Sequence, residues 1–353
     1  MGGTRKRVSG WTLATIALLG VAVAVKVWGG GSSPSGGAGD GAGGGAVDGA
    51  GDGAGAIGGA SACQALPRFA ATLGVGPRAM FGTSVQGVKG LAVVDPDAQA
   101  AGRSAVYQHE SWDDGGYLGP FVYDRRGDIY AAPVPLVSLE ENPPALQNKV
   151  YRIDSVSQAM AEFVDLPAAA PPTGANPFGV IGLAYDCDGE RLYAASVAGS
   201  TAGEETGRVF RIALSDGEAD VVVEGVDPFG VGVFNGSGGK RLYYGLARQP
   251  ELFSVALDEA GDAVGEPRRE LSLASVPNGT ADKIRRIRFT AGPTMTLHAY
   301  DFGYTLQVAS QRQERQFVFG YDAASDRWTF RHEVQLGGPS VEPTAAGAGS
   351  ATP

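Results

Sequence analysis

A chain of 353 residues with 28 lysines and arginines against 38 aspartates and glutamates carries a formal net charge of −10. That balance excludes nucleic acid as a partner, because neutralising phosphates needs a basic surface. Two cysteines are too few for a four-cysteine zinc site, and they stand too far apart for a CxxC redox pair.

Taken in order, the chain begins with Arg5, Lys6 and Arg7 ahead of an uncharged apolar run over residues 8–25, which Lys26 and Trp28 close. A run of that length stands between an export signal and a membrane span. Ala22-Val23-Ala24 offers a small-x-small cleavage site, so a removed signal is one reading. Trp11 and Trp28 near the two ends, with a snorkelling Lys26, favour the other: an apolar helix retained as an anchor over residues 1–28. Either reading places the rest outside the cytoplasm, periplasmic or extracellular, with the membrane as a partner through the N-terminal segment. Residues 29–61 are roughly half glycine, with alanine, serine and the isolated Asp40, Asp48 and Asp52. They bury too little apolar surface to offset ordering entropy, so they read as a disordered linker reaching on the order of 30 Å. Residues 338–353, rich in Pro, Ala and Gly, read as a disordered tail, which leaves 62–337 as the folded domain.

Residues 64–78 permit one short helix or an irregular lead-in. From Met80 the pattern is β: 91–94 and 105–109 form an incomplete first sheet, separated by the turn-forming Asp95-Pro96-Asp97. A unit then recurs. Asn176-Pro177-Phe178-Gly179, an apolar strand, Asp186-Cys187-Asp188-Gly189 and Arg191-Leu192-Tyr193 are echoed by Asp227-Pro228-Phe229-Gly230, a strand and Gly239-Lys240-Arg241-Leu242-Tyr243. A weaker copy begins at Gly119-Pro120-Phe121. Spacings of roughly 50 residues belong to propeller blades. The expected strands are 120–124, 129–133, 149–153 and 161–166, then 180–186, 191–196, 208–214 and 219–224. The next set is 231–235, 241–246, 251–257 and 268–273, and the last is 284–290, 294–300, 317–321 and 328–334, with 304–310 as an additional candidate. No amphipathic helix interrupts them. The fold expected is an all-β propeller of five blades, with six as the alternative, each a four-stranded antiparallel sheet. The N-terminal strands should complete a sheet begun by the C-terminus, protecting the free edges.

The Pro-x-Gly-x-x-x-x-Asp, Gly-x-x-Leu-Tyr-x-x-Ser and Arg-Val-Phe-Arg-Ile elements resemble the propeller superfamily of NHL repeats and regucalcin/gluconolactonase enzymes, over residues 119–334. The resemblance implies the fold. It also implies a divalent metal held by acidic and amide side chains in the channel, but Leu118, Ile181 and Val231 stand at the ligand positions, where a hard cation wants oxygen. No cofactor is therefore expected, calcium being the one ion worth testing, and the channel should be dry or plugged near those three residues.

Asn176 and Asp227, ahead of the two Pro-Phe-Gly motifs, read either as oxygen ligands at the channel mouth or as turn residues bonding the local backbone. His109, His298 and His332 lack ligand spacing and read as strand residues; no G-x-S-x-G elbow occurs. The long loops offer a rim of Trp112, Asp113, Asp114, Tyr117, Glu140, Glu141, Asn142, Asn176, Asp227, Arg248, Asp301 and Arg312, either solvated charge or a surface for a protein or glycan. A binding module acting through that loop face is the leading expectation; a lactonase- or esterase-type hydrolase with an atypical channel site is the alternative. Export would allow Cys63 and Cys187 to pair.

Overall fold

Runs of β-branched and aromatic residues punctuated by Gly and Asp turns build sheets here, and twenty strands result among the described residues. The computed structural model describes residues 57–334, apart from 84, 86, 87, 136–138, 291 and 305–313. The apolar run, most of the glycine-rich segment, the candidate strand over 305–310 and the tail lie outside the described residues.

After β1 (Gly58–Gly59), the first sheet holds β2 (Met80–Gly82), β3 (Ala92–Val94) and β4 (Val106–Tyr107). The second holds β5 (Leu118–Tyr123), β6 (Ile129–Pro133), β7 (Lys149–Ile153) and β8 (Met160–Asp165). The third is β9 (Val180–Asp186), β10 (Arg191–Ser196), β11 (Arg208–Ala213) and β12 (Ala219–Glu224). The fourth is β13 (Pro228–Gly236), β14 (Gly239–Leu246), β15 (Glu251–Leu257) and β16 (Ala263–Ser272). The fifth is β17 (Lys283–Phe289), β18 (Thr294–Tyr300), β19 (Arg315–Asp322) and β20 (Arg327–Val334). All pairings are antiparallel and follow chain order outward from the axis. This is a five-bladed β-propeller.

Position within a blade explains each strand's pattern. Innermost β9 is covered on both faces and is buried along its whole length, so it reads as an unbroken apolar run. Outermost β12 is exposed at Asp220, Val221 and Glu224. Separate apolar clusters fill the gaps between blades: first and second around Trp112, second and third around Tyr185, third and fourth around Tyr244, fourth and fifth around Phe234. Among the described residues no comparable cluster joins the fifth blade to the first.

Three sequence expectations need correction. A five-residue helix, α1 (Pro96–Ala100), replaces the expected turn: Asp95 caps it by accepting from the Asp97 and Ala98 amides, and Pro96 starts it without losing a hydrogen bond. Among the described residues the first sheet is not completed by the C-terminal strand, since β20 stays paired with β19. Residues 58–66, partly assigned from composition to the linker, instead tie the other four blades together. They form a strap across the far ends of the inner strands. β1 pairs with Phe234 and Asn235; the Gly59 amide donates to Thr290 O (3.1 Å) and that of Ala60 to Val233 O (3.0 Å). Ala60 O accepts from Cys187 N (2.8 Å), and the Ala65 amide donates to Asp124 O (3.0 Å). Four blades are thus laced by one stretch. A glycine-rich segment suits that path because it lies against backbone: a Cβ on Gly59 would stand 2.7 Å from that of Phe289. Cys63 and Cys187 are disulfide-bonded, Cα to Cα 5.9 Å, which staples the strap to the third blade.

Candidate functional site

The two strong copies of the repeat shape the loop end of the channel. Gly179 and Gly230 start inner strands where a side chain would collide with a neighbouring backbone: a Cβ would lie 2.1 Å from Gln147 O and 2.6 Å from Arg285 O, respectively. The preceding Phe178 and Phe229 point inward and meet Phe302 at ring-centroid distances of 5.3 and 4.4 Å. With Ile181 and Tyr300 they form an apolar plug. The polar residues before them hold the loops. Asn176 donates to Val197 O (2.8 Å) and Ser200 O (2.9 Å) and accepts from Phe178 N (3.2 Å). Fully buried Asp227 accepts from Arg248 Nε (2.8 Å), Gly207 N (3.1 Å) and the hydroxyls of Ser200 and Tyr304.

Arg248 is likewise engaged, donating to Thr201 O (2.6 Å), Glu204 O (2.9 Å) and Ala202 O (3.0 Å) and lying over the Tyr304 ring. Buried Asn142 clamps Tyr117, accepting from its amide (2.7 Å) and donating to its carbonyl (3.0 Å). Trp112 is not on the rim at all. It packs against Phe69, Phe81 and Tyr107, and its indole N–H reaches Gln158 O (2.8 Å) in the β7–β8 hairpin. Asp114, Glu140, Glu141 and Asp301 are exposed and Asp113 is half-buried. Glu141 pairs with Lys89 (2.9 Å) and Asp301 with Lys283 (3.4 Å). Arg312 lies outside the described residues. The rim residues brought together, Asn176 with Asp227 and Arg248, thus serve loop geometry.

Between the plug and the strap lies a cavity of about 750 Å³. Ile181 and Val231 line it, as expected. Leu118 does not: it is fully buried in the cluster joining the first two blades, because β5 enters its sheet through a register shift between Leu118 and Phe121. Nor is the cavity apolar throughout, for the fifth blade contributes Arg285, Arg286, Arg288, Thr296, His298 and Gln316. Their arrangement follows from a bulge. Ile284 faces Ala299 and Arg286 faces His298 in the β17–β18 pairing, so Arg285 is an extra residue. The bulge reverses the alternation: Ile284 and Ile287 both reach the apolar cluster with the fourth blade, while Arg286 and Arg288 turn to the cavity. Among the described residues no carboxylate lines the cavity. Glu314 contacts two of the lining residues, Arg285 (3.4 Å) and His298 Nδ1 (2.5 Å).

Electrostatics are correspondingly one-sided. Burial, then repulsion from Arg285 and Arg288, pushes Arg286 well below the usual guanidinium range, and burial lowers Arg288 as well. Both stay protonated at neutral pH, so the effect is an energetic cost rather than neutralisation. Burial lowers His298 despite its contact with Glu314, which leaves the imidazole neutral at pH 7. Burial alone would raise Glu314, but the His298 hydrogen bond and Arg285 bring it down to about 2. Arg286 makes no hydrogen bond or ion pair with another described residue. Sequence reading missed this set, although Lys-Ile-Arg-Arg-Ile-Arg-Phe, in a slot that two other blades fill with apolar residues, carried the signal.

The metal implied by gluconolactonase-like propellers does not fit here. Its ligand positions hold a core leucine and two aliphatic residues, and arginines facing the cavity would repel a divalent cation. Among the described residues no three His, Cys, Asp or Glu side chains group as a metal site.

No protein-family model matches the chain, and no curated protein matches it. Solved structures do. Regucalcin from Agrobacterium tumefaciens, a calcium-binding protein, is similar with a TM-score of 0.41 and 12% identity over 78% of this chain and 77% of that one. The PQQ-bound aldose sugar dehydrogenase of Streptomyces coelicolor gives 0.38 and 14%, over 69% and 77%. Both are β-propellers, and the likeness is one of fold.

Proposed function

We propose that this protein is an envelope-tethered binding propeller that takes a small molecule into its central cavity. The observation that carries the reading is the cavity itself: about 750 Å³, within the size range of ligand sites, set between an aromatic plug and a stapled strap, with polar groups from one blade. Export is supported by the Cys63–Cys187 disulfide, a bond of oxidising compartments, and by the apolar run near the N-terminus. A second reading keeps recognition on the loop face, where Glu140, Glu141, Glu204 and Asp301 stand exposed as an acidic surface for a basic protein partner. Hydrolysis at a channel metal has no donor set to support it.

Native mass spectrometry on the full chain, purified from its own host in mild detergent, tests the cavity reading. A bound small-molecule mass is expected on the unmodified protein and should be lost from Thr296→Trp, which adds bulk to a half-buried cavity position. Retention of that mass by a folded Thr296→Trp variant, or no bound mass on the unmodified protein, would count against it.

A further inference from the structure

Three arginines face one cavity in a protein whose net charge is −10, and among the described residues that cavity has no lining carboxylate. One of the three, Arg286, stands apart from the paired arginines of this molecule. Arg268 pairs with Glu270 and Asp326, both at 2.8 Å, and Arg248 with Asp227 at 2.8 Å. Arg286 has no such partner among the described residues, and its cross-strand neighbour, His298, is neutral and committed to Glu314. The bulge at Arg285 is what aims this cationic face inward, and Gly230 makes room for it by leaving space at the Arg285 carbonyl.

We infer that the cavity is an oxyanion site, taking a small organic dianion, a dicarboxylate or a phosphate monoester, between Arg286 and Arg288. This rests on the cavity reading proposed above and names its ligand class. The planar guanidinium fork matches carboxylate and phosphate oxygens two at a time. An anion lodged there replaces arginine–arginine repulsion with two attractions, in surroundings where water screens little. Thr296 and Gln316, on the same face of the blade, offer neutral hydrogen bonds to the remainder of the molecule. A bare inorganic ion would leave most of about 750 Å³ untouched, so an organic body is expected.

Isothermal titration of the full chain in detergent with succinate, glycerol 3-phosphate, inorganic phosphate and glycerol tests this. Succinate or glycerol 3-phosphate should bind with a Kd below about 1 mM. Its affinity should fall with added salt and exceed that of inorganic phosphate. Whichever of the two binds more tightly identifies carboxylate or phosphate as the source. Arg286→Gln and Arg288→Gln should each weaken that binding about tenfold or more, the loss of a charge-assisted hydrogen bond. Glu141→Gln on the loop face should leave it unchanged, and melting curves confirm that each variant is folded. Failure of both dianions, equal binding of glycerol, equal binding of inorganic phosphate, or full affinity in both arginine variants would overturn the inference. If a neutral molecule nevertheless leaves with Thr296→Trp, the cavity remains the binding site and only its charge preference falls.

Discussion

β13 and β17 occupy neighbouring slots of one ring and solve the slot in opposite ways. β13 is glycine and apolar residues, buried from Pro228 to Phe234, and the Phe229 ring sits in the plug. β17 alternates isoleucine with arginine and sends its charges to the axis. An inner strand that packs on both sides stabilises the ring. One that turns arginines inward weakens it locally and makes a place where something charged can be held. On the proposed reading of the cavity, stability and recognition would be carried by different blades, the division expected when a binding site costs folding energy.

The comparison breaks most visibly at the plug. Phe229→Ala removes a buried ring that contacts Phe302 and Tyr300, and should lower unfolding free energy by about 3–5 kcal/mol in chemical denaturation. Asp227→Ala strands Arg248 and several donors behind the same plug and should cost about 3 kcal/mol, with the loop over 200–206 becoming more protease-sensitive.

Acid acts on the other side. His298, lowered by burial, binds its proton more readily when unfolded, so its contribution fades as the pH falls below about 6.5. Glu314, held at about 2, contributes above its unfolded value and loses that contribution as the pH falls toward 2. Stability measured against pH should thus decline in two stages, and Glu314→Gln should shrink the lower one, to which Asp154, Asp188 and Asp326, also held below the usual carboxylate range, contribute as well. Arg286→Leu is expected to raise stability by about 1 kcal/mol, since a buried cation gives way to an apolar side chain. A melting temperature that falls instead would mean that β17 is as much a packing strand as β13. Glu141→Gln, at an exposed pair with Lys89, should change stability by less than about 0.5 kcal/mol.

The propeller was legible because its signal is repeated. Pro-Phe-Gly, the Asp-Gly turn and Arg-Leu-Tyr mark the same places in two blades, and the strand ranges of the second, third and fourth blades differ from the observed ones mainly at their ends. What one residue type does in a slot was legible less often. Asn176 and Asp227 looked alike and both brace loops, yet Trp112 sits in a core that no local pattern revealed. The arginine face escaped because a bulge, not sequence alternation, decides which way Arg285 and Arg286 point, and bulges follow from pairing across strands. The strap escaped because glycine-rich composition reports what a segment lacks in side chains, not the backbone partners that await it.

That strap sets an order of assembly. A chain delivered from its N-terminus presents Gly59 long before Thr290, the carbonyl it must meet, and Cys63 well before Cys187. The stretch that floors the channel can therefore meet its partners at Asp124, Cys187 and Val233 in turn, and it gains the last, Thr290, only after the fifth sheet has arrived. Such distant pairings slow folding. They also act as a check on completeness: a product truncated before the last blade has nothing for Gly59 to bond at that end, so only a finished chain can close the floor.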